Sequence, residues 1–100
     1  MKHEEILLIC KKERDELRGI IRDAGRNAGW LLNSGICKKE IESAQIRLVS
    51  HYIDLLGDNL SDLEDELDSH EFTRLFDLYS EYVDGDLMFS KDRFPEEVLL

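Results

Sequence analysis

Apolar residues recur at three- and four-residue spacings through most of the chain, the pattern of helices that bury one face. From Glu4 to Leu32 the positions Ile6, Cys10, Leu17, Ile20, Ile21, Ala24, Ala28 and Leu31 fall within roughly a third of a helical wheel. One helix over 4–32 would be a rod of roughly 44 Å. It therefore either bends near Gly19, Gly25 or Gly29, or projects to meet another chain. Asn33-Ser34-Gly35 is expected to end it, with Gly35 in the left-handed conformation beyond the last turn.

A second helix is predicted over 38–56. Ile41, Ala44, Leu48, Tyr52 and Leu55 form one apolar row, and Ile46, Val49, Ile53 and Leu56 form another beside it. A helix apolar over more than half its circumference is buried on two sides, as the centre of a bundle or as part of a subunit interface. Gly57-Asp58-Asn59 has turn chemistry. Ser61 and Glu64 have capping-box spacing and open a short third helix over 61–67, with Leu60, Leu63 and Leu67 on one side. The stripe of Phe72, Leu75, Phe76, Tyr79, Tyr82 and Val83 is rotated from that of the leucines, so a break falls near Asp68-Ser69-His70. Ser69 or Asp68 then caps a fourth helix over 70–83, which Asp84-Gly85-Asp86 closes. Residues 87–100, with Phe89, Phe94 and the single proline Pro95, show no period and form an irregular tail that packs back or frays. The expected fold is all-α: a small bundle of about four helices over 1–86, followed by a tail over 87–100.

Composition narrows the class. The chain has 100 residues, 42% of them hydrophobic, enough for one packed domain and too many for a disordered chain. No apolar run approaches the ~20 residues of a membrane span. The five apolar residues Ile6 to Cys10 are too few for a secretory signal. Cys10 and Cys37 make neither a disulfide framework nor a zinc spacing, and Cys10 lies on the core stripe as a small hydrophobe. A soluble, cytoplasmic protein is expected.

Charge changes the picture more. The formal net charge is −10, with 23 acids against 13 Lys and Arg. Residues 1–47 hold ten Lys/Arg and eight Asp/Glu, whereas residues 48–100 hold three and fifteen. The densest acidic run is Asp58, Asp62, Glu64, Asp65, Glu66, Asp68 and Glu71, with no Lys or Arg between its ends. Such a field repels phosphates and attracts cationic surfaces. These seven acids are the candidate partner-binding residues, with Trp30, which lies off the apolar stripe of the first helix, as the candidate anchor.

Arg14, Arg18, Arg22 and Arg26 stand four apart on the first helix. Like charges at this spacing disfavour a helix, so something is expected to face the ladder. Asp15–Arg18 and Asp23–Arg26 pairs would offset part of the repulsion, and the row Asp54, Asp58, Asp62 and Glu66 is the favoured partner, within or between chains. The alternative is phosphate contact by a helical nucleic-acid-binding dimer, which the acidic balance and the lack of aromatics among the arginines disfavour. Gly25-x-x-x-Gly29 has the small-residue spacing of close helix packing. Glu66 and His70, four apart, would supply half of a metal site, with no second half in the sequence. No phosphate loop, EF-hand loop or nucleophile–base motif occurs, so neither metal, cofactor nor enzymatic activity is expected. The expected function is a small acidic regulatory module, an adaptor or inhibitor. It would dock on a basic, nucleic-acid-binding type of protein, with a homodimer compatible with that role.

Overall fold

The computed structural model describes residues 1–28, 34–88 and 90–100, without the side chains of 27, 28 and 34–37. Four helices are present: α1 over His3–Ala28, α2 over Ser34–Asp58, α3 over Leu60–Glu66 and α4 over Ser69–Asp84. A 3-10 turn over Glu96–Val98 follows. No strand occurs among the described residues, and none of their helices is long and apolar enough to cross a membrane.

α1 and α2 pack along each other, and α2 also touches α3, α4 and the 3-10 turn, making it the central helix. Its fully buried Tyr52, Ile53 and Leu56 meet Ile6 and Cys10 of α1, Leu63 of α3, Leu75 and Leu78 of α4, and Phe94 and Val98 of the tail. A smaller cluster of Leu17, Ala44 and Leu48, with Ile21 and Leu100 against it, joins α1 to the first half of α2. The molecule is elongated, 50 × 26 × 20 Å, because α1 continues unbroken through Gly19 and Gly25 beyond the reach of α3 and α4.

Several local expectations give way. α2 begins at Ser34, so Gly35 lies inside a helix and is not a left-handed cap. Gly57 is also helical, and its role is clearance: a Cβ there would stand 2.5 Å from Cε2 of Tyr79. Asn59, not Ser61, precedes the first turn of α3, and its Nδ2 donates back to the Leu55 carbonyl at 2.8 Å. The capping box therefore does not form: the chain leaves α2 so tightly that Ser61 is already helical. Asp68 does cap α4, its carboxylate accepting from the Glu71 N–H at 2.8 Å, and Gly85 ends α4 at φ 78°. Ile20 is 61% exposed, off the buried stripe. On α4 the buried residues are Leu75 and Leu78, whereas Phe76 is 44% exposed and Phe72, Tyr79 and Tyr82 only edge the core.

Candidate functional site

The acidic run folds onto one ridge because α3 has a single inward side. Leu63 is fully buried, with Leu60 and Leu67 half-buried beside it. On a 100° wheel Asp62 and Asp65 then point away from the leucines while Glu64 and Glu66 lie on the two flanks, and all four are exposed. Asp58 ends α2 on one flank, and Asp68 and Glu71 open α4 on the other. Asp62 alone of the seven has an ion partner among the described residues, the Met1 ammonium at 2.6 Å, which also donates to Asn59. A shallow open groove beside α3 is lined by Met1, Lys2, Glu5, Asp62, Asp65 and Glu66, four carboxylates against two cationic groups. Among the described residues the six other acids of the run have no ion partner, and five of them, all but Glu71, are exposed, so this surface carries an excess of negative charge.

The arginine ladder does not pair with the acid row. Asp54 and Asp58 sit on α2 and Asp62 and Glu66 on α3, so the row is broken at Asn59 and never forms one helical face. Arg14 turns inward, 9% exposed, and its Nη1 donates to the Glu96 carbonyl at 2.8 Å, with Asp15 3.3 Å from Nη2. Thus α1 holds the tail through a guanidinium and a backbone carbonyl. Arg18, Arg22 and Arg26 are exposed, and no acid lies within ion-pair distance of them among the described residues; the Asp15–Arg18 and Asp23–Arg26 pairs are absent. Trp30, the candidate anchor, lies outside the described residues, as do Gly29 and Phe89. Among the described residues, nothing outside its own stretch of helix backbone comes within 4 Å of a Cβ at Gly25. Glu66 ends α3 and His70 lies in the first turn of α4, so the two do not share a helical face.

Three features escaped the sequence. His3 is buried, and its Nε2 lies 3.0 Å from the hydroxyl of buried Tyr52. Burial pushes the His3 pKa down and the Tyr52 phenol up, so both are neutral partners. Cys10 is buried beside them, its thiol pushed up to about 11 by burial, which makes it inert packing. Glu13 of α1 bridges His51 and Arg47 of α2. Finally, Ile41, Glu42, Gln45 and Ile46 of α2 border an open apolar groove with Lys91, Leu99 and Leu100. The apolar surplus of α2 was the sequence signal for that groove; no periodicity signals a hydrogen bond across 49 residues such as His3–Tyr52.

Compared with known proteins, the chain matches no family model, no curated protein and no solved structure.

Proposed function

We propose that the chain is a small acidic protein-binding module, an adaptor or inhibitor of the cytoplasm, that docks its α3 ridge on a basic surface of a partner protein. A surface that otherwise holds nucleic acid has the matching chemistry: lysines and arginines spaced to meet phosphates meet carboxylates instead. The observation that supports this is the exposure of Asp58, Asp62, Glu64, Asp65, Glu66 and Asp68 along α3 and its flanks, with Glu71 half-buried and, among the described residues, an ion partner at Asp62 alone. Its field steers a cationic partner over a Debye length of about 8 Å and raises the association rate, while apolar contacts hold the complex. A homodimer is compatible with this role provided that the ridge stays open.

The test is a pull-down comparing the intact protein with one carrying Asp62, Glu64, Asp65, Glu66 and Asp68 as Asn or Gln. Asp68→Asn keeps a competent helix cap, so α4 is preserved. A specific basic partner should be lost with the neutralised ridge, and its association with the intact protein should weaken as salt rises. Retention of that partner by the neutralised protein, or salt-independent affinity, refutes electrostatic docking.

The second reading, nucleic-acid binding by the arginine ladder, draws on the exposure of Arg18, Arg22 and Arg26. The engagement of Arg14 with the tail shortens that run. Retardation of a duplex at micromolar protein and low salt would favour it, and no retardation removes it.

A further inference from the structure

We propose that the outer half of α1 is a second docking surface, which takes an acidic amphipathic helix of a partner protein. Arg18, Arg22 and Arg26 stand exposed along it, and none has an ion partner among the described residues. Asp23 is the one acid between Arg18 and Arg26 in sequence, so three guanidiniums stand against a single carboxylate. Next to the row α2 is balanced, Lys38 and Lys39 against Glu40 and Glu42. Like charges one turn apart disfavour a helix unless something neutralises them. The acidic ridge of the same molecule does not do so. α1 starts beside that ridge, where the Met1 ammonium meets Asp62. At about 1.5 Å per residue Arg18 lies about 23 Å along the helix from His3, nearly three Debye lengths at physiological salt, and Arg26 lies farther still. The two fields are screened from each other, so the row attracts anions although the whole chain is negative.

What lies beside the row selects among anions. Arg18 and Arg22 border a hollow of about 310 Å³ whose apolar lining is Ile21, Ile41 and Leu100. Ile21 and Leu100 pack on the buried Leu17, Ala44 and Leu48, so the core fixes the floor. The hollow is open and stands at the bottom of the ~300–1,000 Å³ range of small-molecule sites, which suits one large apolar side chain rather than an enclosed ligand. A phosphodiester backbone has nothing apolar to put there. The rungs have helical spacing, and an i±4 row of one helix packs against the i±4 row of another in the commonest helix crossing. Carboxylates four residues apart on the partner helix meet Arg18 and Arg22, each guanidinium able to hold one bidentately, and a leucine or phenylalanine beside them enters the hollow. The α3 ridge of a second copy fits less well, because its Leu63 and Leu67 pack into its own core and leave it nothing apolar to insert. The surface is independent of the acidic ridge, so either reading can fail alone.

The test titrates the full chain against a labelled helical peptide of about 20 residues, long enough to hold a helix, with glutamates four apart and leucines beside them. Fluorescence anisotropy should show binding that weakens from about 0.1 M to about 1 M salt, as the Debye length falls from ~10 Å to ~3 Å. Peptides with Gln for Glu, or with Ser for Leu, should each bind about tenfold more weakly. Arg18→Gln combined with Arg22→Gln should weaken the original peptide about tenfold with unchanged helical circular dichroism, because it relieves repulsion within α1. Ile41→Ser, at a position 43% exposed, should also weaken it. Neutralising Asp62, Glu64, Asp65, Glu66 and Asp68 should not. No binding of the peptide, or binding indifferent to the two arginine changes, overturns the proposal. Equal binding of the Leu and Ser peptides, or tighter binding of a DNA duplex, overturns the helix in favour of plain attraction of anions. Self-association of the chain that is lost when the ridge is neutralised assigns the row to a second copy and overturns the partner.

Discussion

Removing one hydroxyl from the core tests how α1 is seated on α2. Tyr52 is fully buried, and its hydroxyl and Nε2 of His3, a residue only 8% exposed, form a 3.0 Å hydrogen bond across the two helices. Tyr52→Phe keeps the ring and the packing but leaves the ring nitrogen without its partner. Stranding a buried polar group costs about 1–3 kcal/mol. For a chain of this length, that lowers the melting temperature by roughly 4–8 °C per kcal/mol. The same pair has a pH signature. Burial is the main cause of the lowered His3 pKa, with Arg74 adding to it, against the opposing pull of Glu71, Glu66 and Glu97. A depressed histidine is neutral when folded and charges when unfolded, so the unfolded chain binds more protons as the pH falls below about 6.5. Its stabilisation is complete above that value and is lost as the pH falls toward the lowered folded pKa. Urea melts of wild type, Tyr52→Phe and His3→Gln at about pH 7.5 and about pH 5 isolate this contribution, since the Glu13–His51 bridge and the carboxylates are common to all three. Wild type should lose more stability than His3→Gln on going to the lower pH. A Tyr52→Phe cost below about 0.5 kcal/mol would contradict the buried hydrogen bond. Parallel losses in wild type and His3→Gln would contradict the depressed histidine.

Leu63→Ala removes the one fully buried side chain of α3 and should cost about 2–5 kcal/mol in denaturant unfolding. Because that side chain aims the acidic ridge outward, binding to a basic partner should fall with it even though no charge changes. Gly57→Ala would favour an ordinary helix interior by about 0.5–1 kcal/mol, but the Tyr79 ring blocks the new methyl group. Overpacking of about 1–3 kcal/mol should win, making the single variant less stable. In a Tyr79→Ala background the same change should stabilise, and a double-mutant cycle without that change of sign would show that the clearance is unimportant.

Four helices, their approximate limits, the break before α4 and the caps at Asp68 and Gly85 were legible in the sequence, because each is written within a few neighbouring residues. The errors fall where two elements meet. Gly57 looks like a turn until Tyr79 of α4 is seen lying across it. Arg14 looks like one rung of a solvent-facing ladder, but the tail returns over that part of α1 and offers it the Glu96 carbonyl. Leu78 contributes to the core although the aromatic row beside it dominates the pattern, since the turn of α4 is set by its neighbours.

The acidic ridge was legible as a run of seven carboxylates. Its exposure was not: whether those acids meet the arginines depends on how α1 and α3 are placed about α2. Periodicity and charge count report what each residue prefers within its own helix, and they determined an all-helical, strongly acidic chain. Which apolar residues of α2 are covered, which guanidinium is taken by the tail, and which histidine is buried were decided by tertiary packing. Burial, desolvation and hydrogen bonds between distant residues come into existence only when the helices meet.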